Sequence, residues 1–242
     1  MKAVAEPDRF YCGTALHLKR HVNVIMRYNR QPGFLIFVLA AVLAFSSSAA
    51  NGTQGRVVTE REILTVPIAV YILASTRANS NWSSKRTVES MDAHFDQVNR
   101  IWSQADIVIE PVVVRQIKAS DYLIKGLSRR VGRGGIADFF RAIYNGKIKI
   151  GNPYYRQGMM MAFYVPSLGG PNGLMPLGVN ALFVADNTTV SDARVTSHEI
   201  GHNLGLYHAP RNPGQLLFSG TNGVELTETE QIVARYNARK FL

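Results

Sequence analysis

The stretch HEIGHNLGLYH, residues 198–208, holds three histidines, one glutamate and two glycines. On a helix, His198 and His202 are neighbours on one face, with Cβ atoms about 5–6 Å apart. That separation suits two imidazoles on one zinc ion at about 2.0–2.1 Å each. Glu199 is turned about 100° from His198, so its carboxyl can flank the ion and reach a water without being a ligand. His208 would point elsewhere if the helix continued. Gly205 supplies the break, because glycine takes the left-handed conformation that ends helices at little cost. The chain can then turn and bring His208 beneath the ion. Three protein nitrogens and one open position make a catalytic type of zinc site; a structural site is closed by a fourth protein ligand.

A bare HExxH is a weak signal. The longer pattern fixes His198, Glu199, His202, Gly205 and His208, and chance produces it on the order of once in ten thousand chains of this size. An ordinary buried helix with satisfied histidines has no need of the added glycine and histidine. The inventory agrees: of the four histidines after residue 50, three are in this stretch. The fourth, His94, stands apart from any ligand partner in sequence and reads as structural or surface.

The elements that must position these residues follow from periodicity. Val66–Leu73 is a β-rich run and a first strand. Val88, Met91, Phe95, Val98 and Trp102 recur at steps of three and four, which predicts an amphipathic helix over 85–104. Ile107–Val114 is a second strand, with Pro111 placing it at an edge or bend. In 120–158 only a short helix over 136–144 is expected, opened by Gly134-Gly135, and the rest reads as loop. Met159–Val165 and Asn180–Ala185 are further strands, separated by a Gly/Pro-rich loop, and the methionines 159–161 read as core packing. Ser191 can N-cap the zinc helix, with Asp192 at its positive end. Thr227 and Glu230 form a capping box for a C-terminal helix reaching about Arg239. The order predicts one mixed α/β (α+β) domain over 51–242.

These residues resemble a known family. HExxHxxGxxH is the metzincin signature, the zinc endopeptidase clan of astacins, matrixins and reprolysins. The strand VPIAVYIL, the helix ending VNRIWSQADI, the strand NALFVAD and the segment NGVELTETEQ are similar to secreted metzincin-like peptidases, so that the resemblance spans most of 64–242. It implies a zincin fold, with a twisted mixed sheet above a cleft, an active-site helix and a C-terminal helix. It implies one catalytic Zn2+ on His198, His202 and His208, with Glu199 as general base. It also implies an extended peptide substrate on an exposed edge strand between Met159 and Leu182, around Leu174–Leu177. There is one departure. The family places a methionine in a tight turn under the zinc, and here Leu217 aligns with it. Leucine is similar in volume, and such exchanges cost under about 1.5 kcal/mol. No extra tyrosine ligand is expected; Tyr207 and Tyr236 read as packing.

The N-terminus sets the compartment. Arg27 and Arg30 precede a twelve-residue apolar run, Phe34–Phe45, and small residues follow to Ala50. This describes a secretory signal peptide over residues 1–50, too short for a span of roughly 20 residues. Cleavage after Ala50 is expected, and a start at Met26 gives the compact signal. A tethered form anchored by 34–45 is the alternative. The one cysteine, Cys12, precedes the signal, which excludes disulfides and a cysteine-based latency switch from the exported chain. Residues 51–242 carry 21 Lys/Arg against 15 Asp/Glu, a formal +6. The positive residues are scattered apart from Arg129, Arg130 and Arg133, which read as a solvated loop. No basic stripe with interleaved aromatics marks a nucleic-acid site.

The function expected is that of a secreted or periplasmic, monomeric zinc endopeptidase acting on protein or peptide, without nucleic acid and without stable membrane association after cleavage. The competing class is a non-catalytic zinc-containing module that binds a partner protein. Leu217 favours it; the intact Glu199 argues against it, because a structural zinc has no use for a carboxylate beside a water.

Overall fold

A run as apolar as Val66–Leu73 calls for cover on both faces of its sheet, and it has that cover. The computed structural model describes residues 61–129, 134–151 and 159–242. The expected signal peptide with Met26 and Cys12, and the residues Arg130 and Arg133, lie outside them. In chain order the elements are β1 (Leu64–Ser75), α1 (Ser90–Trp102), β2 (Ile107–Ala119), α2 (Asp121–Arg129), α3 (Gly135–Tyr144), β3 (Met160–Val165), β4 (Gly173–Leu174), β5 (Ala181–Ala185), α4 (Asp192–Asn203) and α5 (Glu228–Ala238).

The strands form one five-stranded twisted sheet in the order β2-β1-β3-β5-β4. The first four are parallel to their neighbours, and β4 runs antiparallel to β5 at the edge. On one face Val66, Ile68, Val70 and Ile72 pack with apolar residues of α1, α4 and α5. On the other, Ala69, Tyr71 and Leu73 pack with α2 and α3. Both faces are therefore covered, which is why β1 and β3 read as continuous apolar runs instead of alternating ones. Tyr71, Phe163 and Phe183 sit in register across β1, β3 and β5. Their rings stack at 5.2 and 5.1 Å between centroids, with Phe139 edge-on to Phe163 and Phe183. A one-residue slip would throw this ladder to the wrong face.

The mixed α/β class, the edge position of β2, the bend near Pro111 and the Thr227–Glu230 capping box are all found. Val112 is the extra residue of a bulge beside Pro111. The methionines of β3 are core residues. Other expectations need correction. Residues 121–129 form α2, not loop; the segment is short and half exposed, and Ile124 and Leu127 give it only one buried turn. Helix α1 starts at Ser90, not 85, because Thr87 and Ser90 exchange backbone and side-chain hydrogen bonds that set the first turn. Val88 is consequently exposed. Ser191 stands at the N-cap of α4, yet its side chain makes no capping bond. Asp192 is held by Arg86 at 2.9 Å and by the Thr188 hydroxyl.

One buried polar contact ties α4 to the rest. Nε2 of His94 lies 2.9 Å from the Thr196 hydroxyl and 3.0 Å from that of Tyr164. These link α1, α4 and β3, so His94 is structural and buried. Burial, reinforced by the Arg86 cation and opposed by Asp192, pushes its pKa down from 6.5 to about 4. Its contribution to stability is full above pH 6.5 and is lost as pH falls toward 4, because the unfolded chain takes up the proton first. The loss in the metal-free protein is expected to reach about 3 kcal/mol. Chemical denaturation of wild type and His94→Gln across this range checks it: the variant should show a shallower slope, lacking the His94 share and keeping that of the other buried histidines.

Candidate metal centre

Helix α4 presents Arg194, His198 and His202 at steps of four, along one face. It stops at a Schellman motif. Gly205 has φ +81°, its N–H donates to the His202 carbonyl at 3.1 Å, and the Leu206 N–H donates to the Gly201 carbonyl at 2.9 Å. Asn237 of α5 donates to the freed Leu204 carbonyl at 3.0 Å. A side chain at 205 would be strained by the positive φ, and its Cβ would fall 2.6 Å from that same Asn237 amide.

The reversal brings the three histidines together. Nε2 of His202 lies 3.1 Å from Nε2 of His198 and 3.2 Å from Nε2 of His208. One nitrogen from each lies within 4.8 Å of the others, so the three could hold a metal ion. The ring nitrogens opposite are also engaged. Nδ1 of His198 donates to the Leu216 carbonyl at 2.8 Å, and Nδ1 of His202 donates to that of Leu206 at 2.9 Å. A carbonyl only accepts, so each Nδ1 carries the proton and each Nε2 of the neutral ring is a bare lone pair.

Burial disfavours the charged rings. It pushes His198 down to about 3, with smaller contributions from His202, Arg194 and His208, and it lowers His202 and His208 as well. Bare lone pairs 3.1 Å apart repel unless a cation lies between them. A tetrahedral ion with nitrogens at about 2.0–2.1 Å spaces them about 3.3–3.4 Å apart, close to what is seen. The donor set of three imidazoles fits zinc among the first-row metals.

No family model matches the chain, and no curated protein matches it. Among solved structures it is similar to a chain described as a chaperone-substrate complex, at 16% identity, TM-score 0.46, covering 74% of this chain and 34% of that one. It is also similar to metalloproteinase-II from Bacteroides fragilis, at 12% identity, TM-score 0.45, covering 72% of this chain and 53% of that one. The chain thus spans about a third and about half of their lengths. Likenesses this distant leave the site to be read from its own geometry.

Glu199, next along α4, is buried at 6% exposure. Burial pushes its carboxyl up to about 8, opposed by the Arg194 cation. Strand β4 lies against it: a Cβ on Gly173 would fall 2.6 Å from Glu199 Oε1 and 2.8 Å from Val195. Only glycine lets the edge strand approach so closely. The pairing of that strand stops at Leu174, short of the expected Leu177, and Leu177 is almost fully exposed.

Leu217 is fully buried under α4, its methyls 3.3–3.4 Å from where a Cβ on Gly201 would stand. The Leu217 carbonyl accepts from Ala209 N–H at 3.0 Å, next to His208. Tyr207 and Tyr236 do not pack as expected; both are exposed, and Lys240 lies over the Tyr236 ring. Sequence reading missed Gly173 and Arg194. The step of four from Arg194 to His198 was visible, but nothing local said that Arg194 would be buried.

Gly205→Ala should destabilise the protein by at least about 1 kcal/mol and weaken zinc binding, since both the Leu206 carbonyl and His208 hang from this turn. Thermal unfolding and chelator competition check this. Leu217→Met should cost under about 1.5 kcal/mol and leave zinc affinity unchanged.

Proposed function

We propose that this chain is an exported zinc endopeptidase of metzincin type. The observation that carries the reading is the convergence of three histidine Nε2 atoms, two of them bare lone pairs, beside a buried carboxyl. Zinc, when bound by His198, His202 and His208, supplies a Lewis acid that acidifies water and polarises a carbonyl.

The chain's own groups supply the rest. The Glu199 carboxylate accepts the proton of the attacking water and returns it to the leaving amine nitrogen. Its burial raises its proton affinity toward neutrality, which suits a group that must take and give a proton near pH 7. A cation nearby favours the ionised form at rest. The outer edge of β4 is free of a further strand among the described residues, so an extended peptide can pair there over Glu199. The leader expected over residues 1–50 supports export to the exterior or periplasm.

Casein digestion by the purified protein, with and without a chelator, beside Glu199→Gln, tests the reading. Wild type should cleave, chelator should abolish it, and the variant should keep one zinc while losing at least about 100-fold in rate. An active Glu199→Gln would remove the general-base role. Zinc binding without cleavage of any protein would favour the partner-binding module instead.

A further inference from the structure

Arg194 is a buried cation that Glu199 favours through space without touching it. Among the described residues no acid lies within ion-pair distance of it, and it is 4% exposed. Its guanidinium spends its donors on backbone. Nη2 donates to the Leu216 carbonyl at 2.7 Å and to the Phe218 carbonyl, and Nε donates to the Gly223 carbonyl at 3.3 Å. The first two flank Leu217. The Leu216 oxygen is the same atom that accepts from His198 Nδ1 at 2.8 Å. One carbonyl thus joins a fixed cation to a metal-binding ring.

We infer that Arg194 is a positioning residue for the metal centre, which sets the tautomer and aim of His198 by clamping the Leu216–Phe218 turn to α4. A carbonyl oxygen has two lone pairs, and here one takes Arg194 and the other His198. The planar fork of arginine reaches two carbonyls from one side chain, which a lysine ammonium on a flexible stem does less well. The clamp acts across the turn that holds Leu217, where van der Waals packing alone would fix the backbone less tightly than charge-assisted hydrogen bonds do. The inference rests on the three-histidine metal reading and not on peptidase turnover.

The test measures zinc affinity of the full chain by competition with a chromophoric chelator, for wild type, Arg194→Met and Arg194→Lys, all below the unfolding temperature of the metal-free forms. Groups behind a ligating histidine typically change metal affinity about 10- to 100-fold when lost, and Arg194→Met should fall in that range with Arg194→Lys between it and wild type. Nitrogen NMR of metal-free His198 should show the Nδ1-protonated tautomer in wild type and a tautomer mixture in Arg194→Lys, a change that a merely structural role would not produce. If Arg194→Met does not fold, the lysine variant decides. Affinities within about threefold of wild type, with the tautomer unchanged, would overturn the clamp even if the unfolding temperature drops. Wild type that binds no zinc would overturn the metal reading and the clamp together. Zinc binding that weakens in the variants, in a protein without peptidase activity, would support the clamp and remove only the peptidase.

Discussion

A neutral imidazole has one bare lone pair, and the hydrogen bond made by its other nitrogen decides where that lone pair points. In this chain two such bonds, His198 to Leu216 and His202 to Leu206, turn the Nε2 atoms toward a common point. Neither acceptor is on the histidines' own helix. Leu206 belongs to the turn that ends α4, and Leu216 to the loop before α5. The three-histidine cluster that could hold a metal therefore depends on two backbone carbonyls being held still, and much of the surrounding structure serves that end.

Each carbonyl has its own support. The Leu206 turn is a Schellman motif made possible by Gly205 and fastened from α5 by Asn237. The Leu216 turn packs Leu217 under Gly201 and takes Arg194 from the first turn of α4. The helix is pinned in turn by the contact of Thr196 with His94 and Tyr164. These contacts link α1, α4, β3 and the loops below the site, so the precision of three nitrogens comes from the sheet and its covering helices. The same burial that rigidifies the site disfavours charge on the histidines and raises the proton affinity of Glu199.

What could be read in the sequence was whatever repeats or terminates locally. The four-residue step from His198 to His202, the break at Gly205 and the capping box at Thr227 each depend on a few adjacent residues, and each is found where expected. Continuous apolar runs announced the central strands. Failures arose where the local signal was weak or shared. Helix α2 buries only Ile124 and Leu127, so its pattern was hard to tell from loop. Ser191 had the right type for a cap, but the approach of Arg86 and Thr188 to Asp192 was a long-range fact. Tyr207 and Tyr236 were apolar enough to be read as packing, and only the folded surface left them exposed.

The sequence by itself determined the three histidines that could hold a metal, the helix that carries two of them, the glycine that frees the third, and the apolar runs that become the sheet. Only the tertiary structure decided that Gly173 of the edge strand would press against Glu199, that Leu216 would accept from both Arg194 and His198, and that His94 would be sealed between two helices and a strand. The reason is one of range. Backbone geometry relates residues three or four apart whatever the rest of the chain does, while contacts such as Arg194 to Phe218 or His94 to Thr196 exist only once the sheet has brought distant segments to the same place.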